Sequence, residues 1–168
     1  TNVRITDATG TDMGGNKTVN GLELGFTGQI LSNLSVFGGY TFMDSEQKNA
    51  GVGNIANGQP FINTPKHSFS LWANYRPDAK LTLGLGAFGQ SDANGGYGYT
   101  TDGHLVTRGI AGYVRLDAMA SYKFNQNLSL QVNIQNLTDK EYFASTYSTH
   151  YATPAAGRTV IATLKARF

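Results

Sequence analysis

Side chains suited to recognising a small molecule are concentrated in two polar segments of this sequence. The segments GYGYTTDGHLVTRG and YFASTYSTHYATPAAGR each combine tyrosines with a histidine and an arginine. Tyrosine rings stack on flat aromatic groups, and an arginine pairs with anions through charge-assisted hydrogen bonds. Such residues would suit a flat, anionic, aromatic ligand, although packing of one loop on another explains them equally well. The candidate ligand contacts are Tyr97, Tyr99, Arg108, Tyr147, His150, Tyr151 and Arg158.

The first segment also places an acid two positions before a base. Asp102 and His104 could serve as the acid–base pair of a hydrolase at the rim of a barrel. No nucleophile has a defined position beside them, so a solvated loop histidine is the favoured interpretation and no enzyme activity is expected. The histidines are widely separated and cysteine is absent, so we expect no metal site and no cofactor.

The segment GLGAFG, residues 84–89, matches the G-x-G-x-x-G pattern of dinucleotide-binding proteins. That pattern binds phosphate groups only in a turn that opens a helix. Here it lies inside an alternating apolar run, and no helical periodicity follows it. The glycines are therefore predicted to make room where strands approach closely.

The elements that must position these segments are strands with one apolar face. In NLSLQVNIQNL, for example, Leu128, Leu130, Val132 and Ile134 alternate with polar residues. Seven segments of about ten residues show this pattern, and TNVRIT at the start has the pattern of part of an eighth. A tilted strand of about 9–11 residues crosses a bilayer, whereas strands of soluble proteins are usually about five or six residues long.

Short and long connections alternate strictly between these segments. The short connections cover residues 31–33, 77–80 and 125–127. The long polar connections cover residues 7–17, 45–65, 92–112 and 138–157. This alternation is typical of outer-membrane barrels, which have short periplasmic turns and long extracellular loops.

The face opposite the apolar residues carries charges that a dry protein core accommodates only with dense pairing. They are Glu23, Arg115, Asp117, Lys123, Lys165 and Arg167. We expect these side chains to face a water-filled lumen, and the apolar side chains to face the lipid of the cell outer membrane. The predicted fold class is therefore all-β, a transmembrane antiparallel β-barrel, and a soluble β-sandwich is the disfavoured alternative.

An open sheet of about seven strands cannot lie in a bilayer, because its edges leave backbone groups unpaired. We therefore expect the chain to be the C-terminal part of a larger barrel. A complete eight-stranded barrel, acting as an adhesin or a stability protein, is the alternative. The net charge of +2 and the lack of a strongly basic segment argue against nucleic acid as a partner.

Four segments of the sequence resemble motifs of one family, the TonB-dependent outer-membrane receptors, and they occur in the same order as in that family. NIQNLTDKEYFASTY resembles the N-L-x-D-K-x-Y segment near their C-terminus, and GRTVIATLKARF resembles their last strand. NGLELGFTGQILSNLSVFGGYTFMDS resembles one of their strand pairs, and INTPKHSFSLWANY resembles a further strand opening. The segments NTPKHS and HYATPAAGR are most similar to the siderophore receptors, in particular to the catecholate branch.

This resemblance implies a barrel of about 22 strands with a plug inside it. Residues 1–168 would be the C-terminal portion of that barrel, about seven to eight strands, and the plug, the TonB box and the earlier strands would lie outside them. The implied ligand is a ferric siderophore, and the implied partners are TonB, acting through the plug, and the barrel-assembly machinery. In such barrels the final aromatic residue, here Phe168, belongs to the segment that the assembly machinery recognises.

Overall fold

The computed structural model describes residues 2–7, 10–48, 57–147 and 151–168, with side chains from residue 16 onward. Within these residues, no helix is long and apolar enough to cross a membrane. The strands are β1 (Asn2–Asp7), β2 (Gly10–Leu31), β3 (Leu34–Lys48), β4 (His67–Tyr75), β5 (Leu81–Gln90), β6 (Ala93–Tyr99), β7 (Leu105–Ile110), β8 (Tyr113–Lys123), β9 (Leu128–Gln135), β10 (Phe143–Tyr147), β11 (Tyr151–Pro154) and β12 (Thr159–Ala166).

One eight-stranded sheet forms the wall of the structure. Its strand order is β1-β2-β3-β4-β5-β8-β9-β12, and the strand pairs in it are antiparallel. The other four strands form two separate hairpins, β6–β7 and β10–β11. The all-β antiparallel prediction is confirmed, including the eighth strand that TNVRIT was expected to form.

The long connections differ from the sequence-based expectation. Residues 7–17 do not form a long loop, because β1 and β2 continue into a hairpin that pairs Asp7 with Gly10. The connections over 92–112 and 138–157 each contain a hairpin. The expectation was wrong here because strands such as ANGGYGY of β6 lack the alternation of apolar and polar residues from which a strand is predicted.

The cross-strand register gathers the apolar residues of seven strands into one continuous band. One row of this apolar band runs Gly28, Val36, Ala73, Leu85, Ala118, Ile134 and Val160. Leu85 is 56% exposed and Leu164 is 64% exposed, so no second protein layer covers the apolar band within the described residues. A soluble sandwich would bury these side chains, and that alternative is therefore wrong.

The outer limit of the apolar band is visible on β2 and β3. Leu22 pairs with Phe42 in the last apolar row, and the next row on the same face pairs Asn20 with Asp44. Lys66 forms an ion pair with Asp44, with 3.4 Å between the amine and the carboxylate. At the opposite end Tyr122 and Phe124 pack edge to face at 5.2 Å. Aromatic residues at both limits match the belts expected at membrane interfaces.

Glycines of GLGAFG leave space that aromatic rings of the neighbouring strand occupy. A Cβ at Gly84 or Gly86 would lie 2.6 Å or 2.2 Å from the ring of Trp72, on the face opposite the apolar band. A Cβ at Gly89 would lie 2.6 Å from the ring of Phe69, on the apolar face. The glycines are structural, as predicted, but the space they leave is filled mainly by aromatic rings rather than by a closely approaching strand.

The sheet is open at both edges within the described residues. The β1–β2 pairing ends at Asn16, so residues 17–31 of β2 have no described neighbour on that side. No ladder joins β12 to β1 in the described part of the chain. Unpaired backbone groups in hydrocarbon cost several kcal/mol each, which makes an open edge untenable in a bilayer.

The two faces of β12 provide a direct test of which solvent each one meets. Leu164 lies in the middle of the apolar set of β12, whereas Thr163 points to the other face, opposite Gln131. Leu164→Arg in the full-length protein should lower the free energy of unfolding by about 2–4 kcal/mol, the cost of a cation at the bilayer midplane. Thr163→Arg should lower it by much less. Unfolding in phospholipid vesicles measures both, and equal losses would contradict the assignment of the faces.

Candidate functional site

The two hairpins and the segment 57–66 form a layer beyond the outer limit of the apolar band, here termed the outer loop layer. Strand β10 contacts both β6 and β7, so the two hairpins lie against each other. This layer contains most of the candidate ligand contacts predicted from the sequence. Its geometry therefore decides which of those side chains share a surface.

Asn63 joins the three parts of the outer loop layer. Its side chain donates a hydrogen bond to the carbonyl of Thr146 at 2.8 Å and accepts one from the Thr146 amide at 2.8 Å. The Asn63 amide donates to the carbonyl of Asn94 at 2.8 Å, and the Thr146 hydroxyl donates to the carbonyl of Gly95 at 2.9 Å. Asn63 has a φ of 57°, a left-handed conformation that asparagine tolerates better than most residues. We call Asn63, Asn94, Gly95 and Thr146 the loop clasp.

A second network fastens the β10–β11 hairpin to the wall. Asn136 is 1% exposed and has a φ of 53°. Its amide donates to the carboxylate of Asp117 at 2.9 Å, and its side-chain amide donates to the carbonyl of Lys140 at 2.9 Å and accepts the Lys140 amide at 2.8 Å. Further along the same turn, the carboxylate of Asp139 accepts the amide of Arg158 at 2.7 Å. The Asn-Leu-Thr-Asp-Lys segment is therefore a structural joint.

An arginine and several aromatic rings lie on the lumen face just below the outer loop layer. The Arg115 guanidinium is 2.8 Å from the carboxylate of Asp117 and lies 5.1 Å from the ring centre of Phe88. It also donates to the hydroxyl of Tyr142 at 3.4 Å, and the rings of Tyr142 and Tyr113 stack at 3.9 Å. The sequence indicated that Arg115 and Asp117 face the lumen, but not that they support a loop. No periodic pattern reports such a contact.

The structure separates the three candidates on the β6–β7 hairpin. Tyr97 is half-buried and its hydroxyl donates to the carbonyl of Pro60. Burial raises the pKa of the Tyr97 hydroxyl, so it remains a donor at neutral pH. Tyr99 is 60% exposed on the same face of the hairpin. Arg108 pairs with Gly96, one register position away, and therefore lies on the opposite face.

The candidates on the second hairpin lie closer together. Tyr147 and Tyr151 are direct cross-strand partners, 80% and 71% exposed. Arg158 is exposed and lies beside the joint, where its amide is bound to Asp139. His150 lies outside the described residues. The tyrosine pair is thus the one cluster of sequence-predicted contacts that the described structure forms directly.

The acid and base of the first segment meet at the tip of the β6–β7 hairpin. The imidazole of His104 is 3.6 Å from the carboxylate of Asp102, and both side chains are largely exposed. The nearby hydroxyl of Thr100 donates to Asp102 and accepts the backbone amide of His104. A nucleophile must instead hydrogen-bond to its base. This arrangement is that of a turn stabilised by side-chain bonds.

The described residues contain no group of three histidine, aspartate or glutamate side chains that could hold a metal ion. The exposed side chains of the predicted ligand contacts are tyrosine rings and arginines. The geometry fits a binding surface.

Comparison with known proteins places the whole wall in one family. The family model described as TonB dependent receptor-like, beta-barrel matches residues 2–137. The probable TonB-dependent receptor BfrD of Bordetella pertussis is 41% identical over 153 residues, which are 90% of this chain and 21% of BfrD. The probable TonB-dependent siderophore receptor PiuA of Acinetobacter baumannii is 38% identical over 170 residues, covering 96% of this chain and 22% of PiuA.

Solved structures give the same result. The crystal structure of the PiuA receptor superposes with a TM-score of 0.81 at 36% identity, covering 98% of this chain and 24% of that one. The closed form of the ferric-catecholate import receptor Fiu of Escherichia coli has a TM-score of 0.78 at 30% identity, covering 99% and 23%. This chain spans about a fifth of the length of the curated relatives that it matches.

Asn136 should be one of the most sensitive positions in the described structure. Asn136→Ala removes buried hydrogen bonds and forces alanine into a left-handed conformation, so we expect a loss of about 3 kcal/mol in the free energy of unfolding. Asn136→Gly should lose about 1 kcal/mol less, because glycine adopts that conformation without strain. Equilibrium unfolding of the full-length protein measures both, with Thr138→Ala as an exposed control. Equal losses of unfolding free energy for the alanine and glycine variants would show that the left-handed conformation of residue 136 does not strain alanine.

Removal of the loop clasp should loosen the outer loop layer without unfolding the wall. Asn63→Ala loses the side-chain bonds to Thr146, worth about 1–2 kcal/mol together. We expect the amide of Thr146 to exchange with solvent roughly tenfold faster. Hydrogen exchange followed by mass spectrometry measures this change, and Thr64→Ala is the matched control. Unchanged exchange at Thr146 would show that Asn63 does not hold the hairpin.

Proposed function

This chain belongs to the family of TonB-dependent receptor-like β-barrels, and we propose from this premise that it forms the wall and outer loops of a receptor that imports ferric siderophores. The wall lies in the outer membrane, with its apolar band in lipid. The observation that carries the proposal is the cluster of exposed tyrosines on hairpins that the loop clasp holds together. Relatives named as siderophore receptors support the choice of ligand.

We propose further that residues 1–168 are the C-terminal portion of the barrel. The unpaired edge of β2 over residues 17–31 supports this, because the next residues toward the N-terminus would continue the ladder that Asn2 begins with Asn16. The remaining strands and the plug would then belong to the same polypeptide. TonB would act on that plug, and this chain would have no direct part in energy coupling.

The outer loop layer would bind the ligand by stacking and by charge. Tyr147 and Tyr151 present a pair of exposed rings that suits aromatic groups of the siderophore, and Tyr99 presents a third exposed ring, on the face of its hairpin opposite Arg108. Arg108 and Arg158 are exposed cations that suit its negative charge. A ferric catecholate combines both properties, which favours the catecholate branch. Binding and passage involve no covalent step, so the proposed receptor is not an enzyme.

The structural joint below the outer loop layer would hold the exposed tyrosine rings in place relative to the lumen. Asn136 and Asp117 tie the second hairpin to β8 and β9, and Tyr97 is part of the packing inside the layer and is less available to a ligand. A surface that is rigid before binding loses less conformational entropy when it binds. Phe168, exposed at the end of the chain, would serve the barrel-assembly machinery.

A binding experiment with the full-length receptor tests this function. Outer-membrane vesicles carrying the receptor are titrated with ferric catecholate and ferric hydroxamate siderophores. We expect the catecholate to bind, and Arg108→Gln to weaken its Kd by roughly tenfold, the loss of one charge-assisted contact at an exposed site. Tyr147→Ala should weaken it by a similar factor. The control Arg76→Gln, at the periplasmic end, should bind as the wild type does.

Two outcomes would contradict the proposal. If no siderophore of the panel binds to the wild-type receptor, the assignment of the ligand class fails. If Arg76→Gln weakens binding as much as Arg108→Gln does, the outer loop layer is not the site.

A further inference from the structure

Cationic side chains collect at the short-turn end of the sheet, on the face opposite the apolar band. They line a cleft of about 580 Å³ together with the polar residues Asn125, Asn127 and Ser129. The cations of this cleft, here termed the basic row, are Lys80, Lys123, Lys165 and Arg167. The loops of the ligand site lie at the other end of the strands. The basic row is thus separate from the proposed siderophore site.

The strand register places the three lysines of the basic row in a single line across the sheet. The amide of Lys123 donates to the carbonyl of Lys80 at 2.9 Å, which makes the two residues cross-strand neighbours. Lys123 also pairs with Ser129, and Ser129 pairs with Lys165. Adjacent strands lie about 4.8 Å apart, so the line from Lys80 to Lys165 is about 14 Å long. Arg167 follows two residues after Lys165.

Like charges that face each other across a strand pair are unfavourable, and no described acid forms an ion pair with the cations of the basic row. The ion pairs of the described residues involve Lys48, Lys66, His104 and Arg115, and none of them involves the basic row. Lys80 and Lys123 are cross-strand neighbours, and Lys165 and Arg167 are two residues apart on one face. Each of these two pairs lies within about one Debye length, roughly 8 Å at physiological ionic strength, so salt does not remove the repulsion inside the pair.

Asp78 is the acidic residue closest in sequence to the basic row. Its carboxylate accepts the amides of Leu81 at 2.9 Å and of Lys80 at 2.6 Å. These bonds, first that of Leu81, and the charge of Lys80 lower the pKa of Asp78. Asp78 is therefore ionised at neutral pH, and one oxygen of its carboxylate accepts both amides of the turn at one end of the row. Lys123, Lys165 and Arg167 remain without a described counter-ion.

We propose that the basic row docks an acidic polypeptide segment in the periplasmic mouth of the barrel. This inference rests on the proposed function, because the barrel sets which end of the wall faces the periplasm. Side chains two apart on an extended chain repeat about every 6.6–7 Å on one face. Two or three acids at that spacing span the line from Lys80 to Lys165, and Asn125, Asn127 and Ser129 supply further hydrogen-bond partners.

The sides of the wall exclude anionic lipid as the occupant. Tyr122 and Phe124 lie at the lipid interface, and Tyr122 is on the apolar face, whereas its neighbours Lys123 and Ser129 point into the lumen. Lipid headgroups therefore meet the opposite side of the same strands. An occupant of the basic row must enter from the lumen or from the periplasm.

Carbodiimide cross-linking tests the docking directly, since it joins a lysine amine to a carboxylate in contact with it. The reagent is applied to the full-length receptor in outer-membrane vesicles, and the products are identified by mass spectrometry. We expect Lys123 or Lys165 to be joined to an aspartate or glutamate of a polypeptide segment outside residues 1–168. The pair Lys66–Asp44, at 3.4 Å, is the internal positive control. The proposal is overturned if that pair forms while the basic row stays unmodified or joins only lipid.

Neutralising two lysines of the basic row gives a second test, because the direction of the change in Tm depends on whether an acidic segment is docked. With an acidic segment docked, Lys123→Gln combined with Lys165→Gln should lower the Tm of the full-length receptor. Without one, the same change relieves repulsion, so an unchanged or raised Tm overturns the proposal. Lys48→Gln with Lys140→Gln removes the same charge elsewhere and is the control. Siderophore binding is measured on the same vesicles. If the wild-type receptor binds no siderophore, the proposed function fails, but the docking proposal is still decided by the cross-links and the Tm.

Discussion

The pairing of backbone groups in hydrocarbon is the constraint on which this structure depends. Lipid offers no hydrogen bonds, so every peptide group of the wall must find its partner on a neighbouring strand. Because side chains alternate with period two, the register that satisfies the backbone also decides which face each side chain meets. Leu85 and Gly86 are neighbours in the chain, yet one faces lipid and the other accommodates the ring of Trp72. A slip of one residue would place lumen charges such as Arg115 in the bilayer.

The outer loop layer is held by a different kind of interaction. Its strands have no apolar band to align them, so side chains of asparagine and threonine hold them together. Asn63 reaches a hairpin that lies 83 positions away in the chain, and binds both the amide and the carbonyl of Thr146. The consequence for function is that the exposed tyrosines stand on a connected surface rather than on independent loops.

Charges on the lumen face serve opposite purposes at the two ends of the wall. Near the outer end, Arg115 and Asp117 neutralise each other and fasten the turn at Asn136. Near the periplasmic end, Lys123 and Lys165 flank Ser129 and have no ion-pair partner in the described structure. The first arrangement neutralises its own charges, whereas the second leaves two positive charges without an ion pair among the described residues.

The sequence by itself determined the strands of the wall, their lipid-facing residues and the family, because period-two alternation and segment order are local properties, but it missed the strands of the two hairpins. It also identified the glycines of 84–89 as structural, since no helix follows them. Tertiary structure alone decided that Arg108 and Tyr99 lie on opposite faces of one hairpin, and that the Tyr97 hydroxyl donates a hydrogen bond to the carbonyl of Pro60. It also decided that Asn63 meets Thr146 and that Lys80 meets Lys123. These depend on pairings between distant segments, and no periodicity within one segment encodes which strand will become its neighbour.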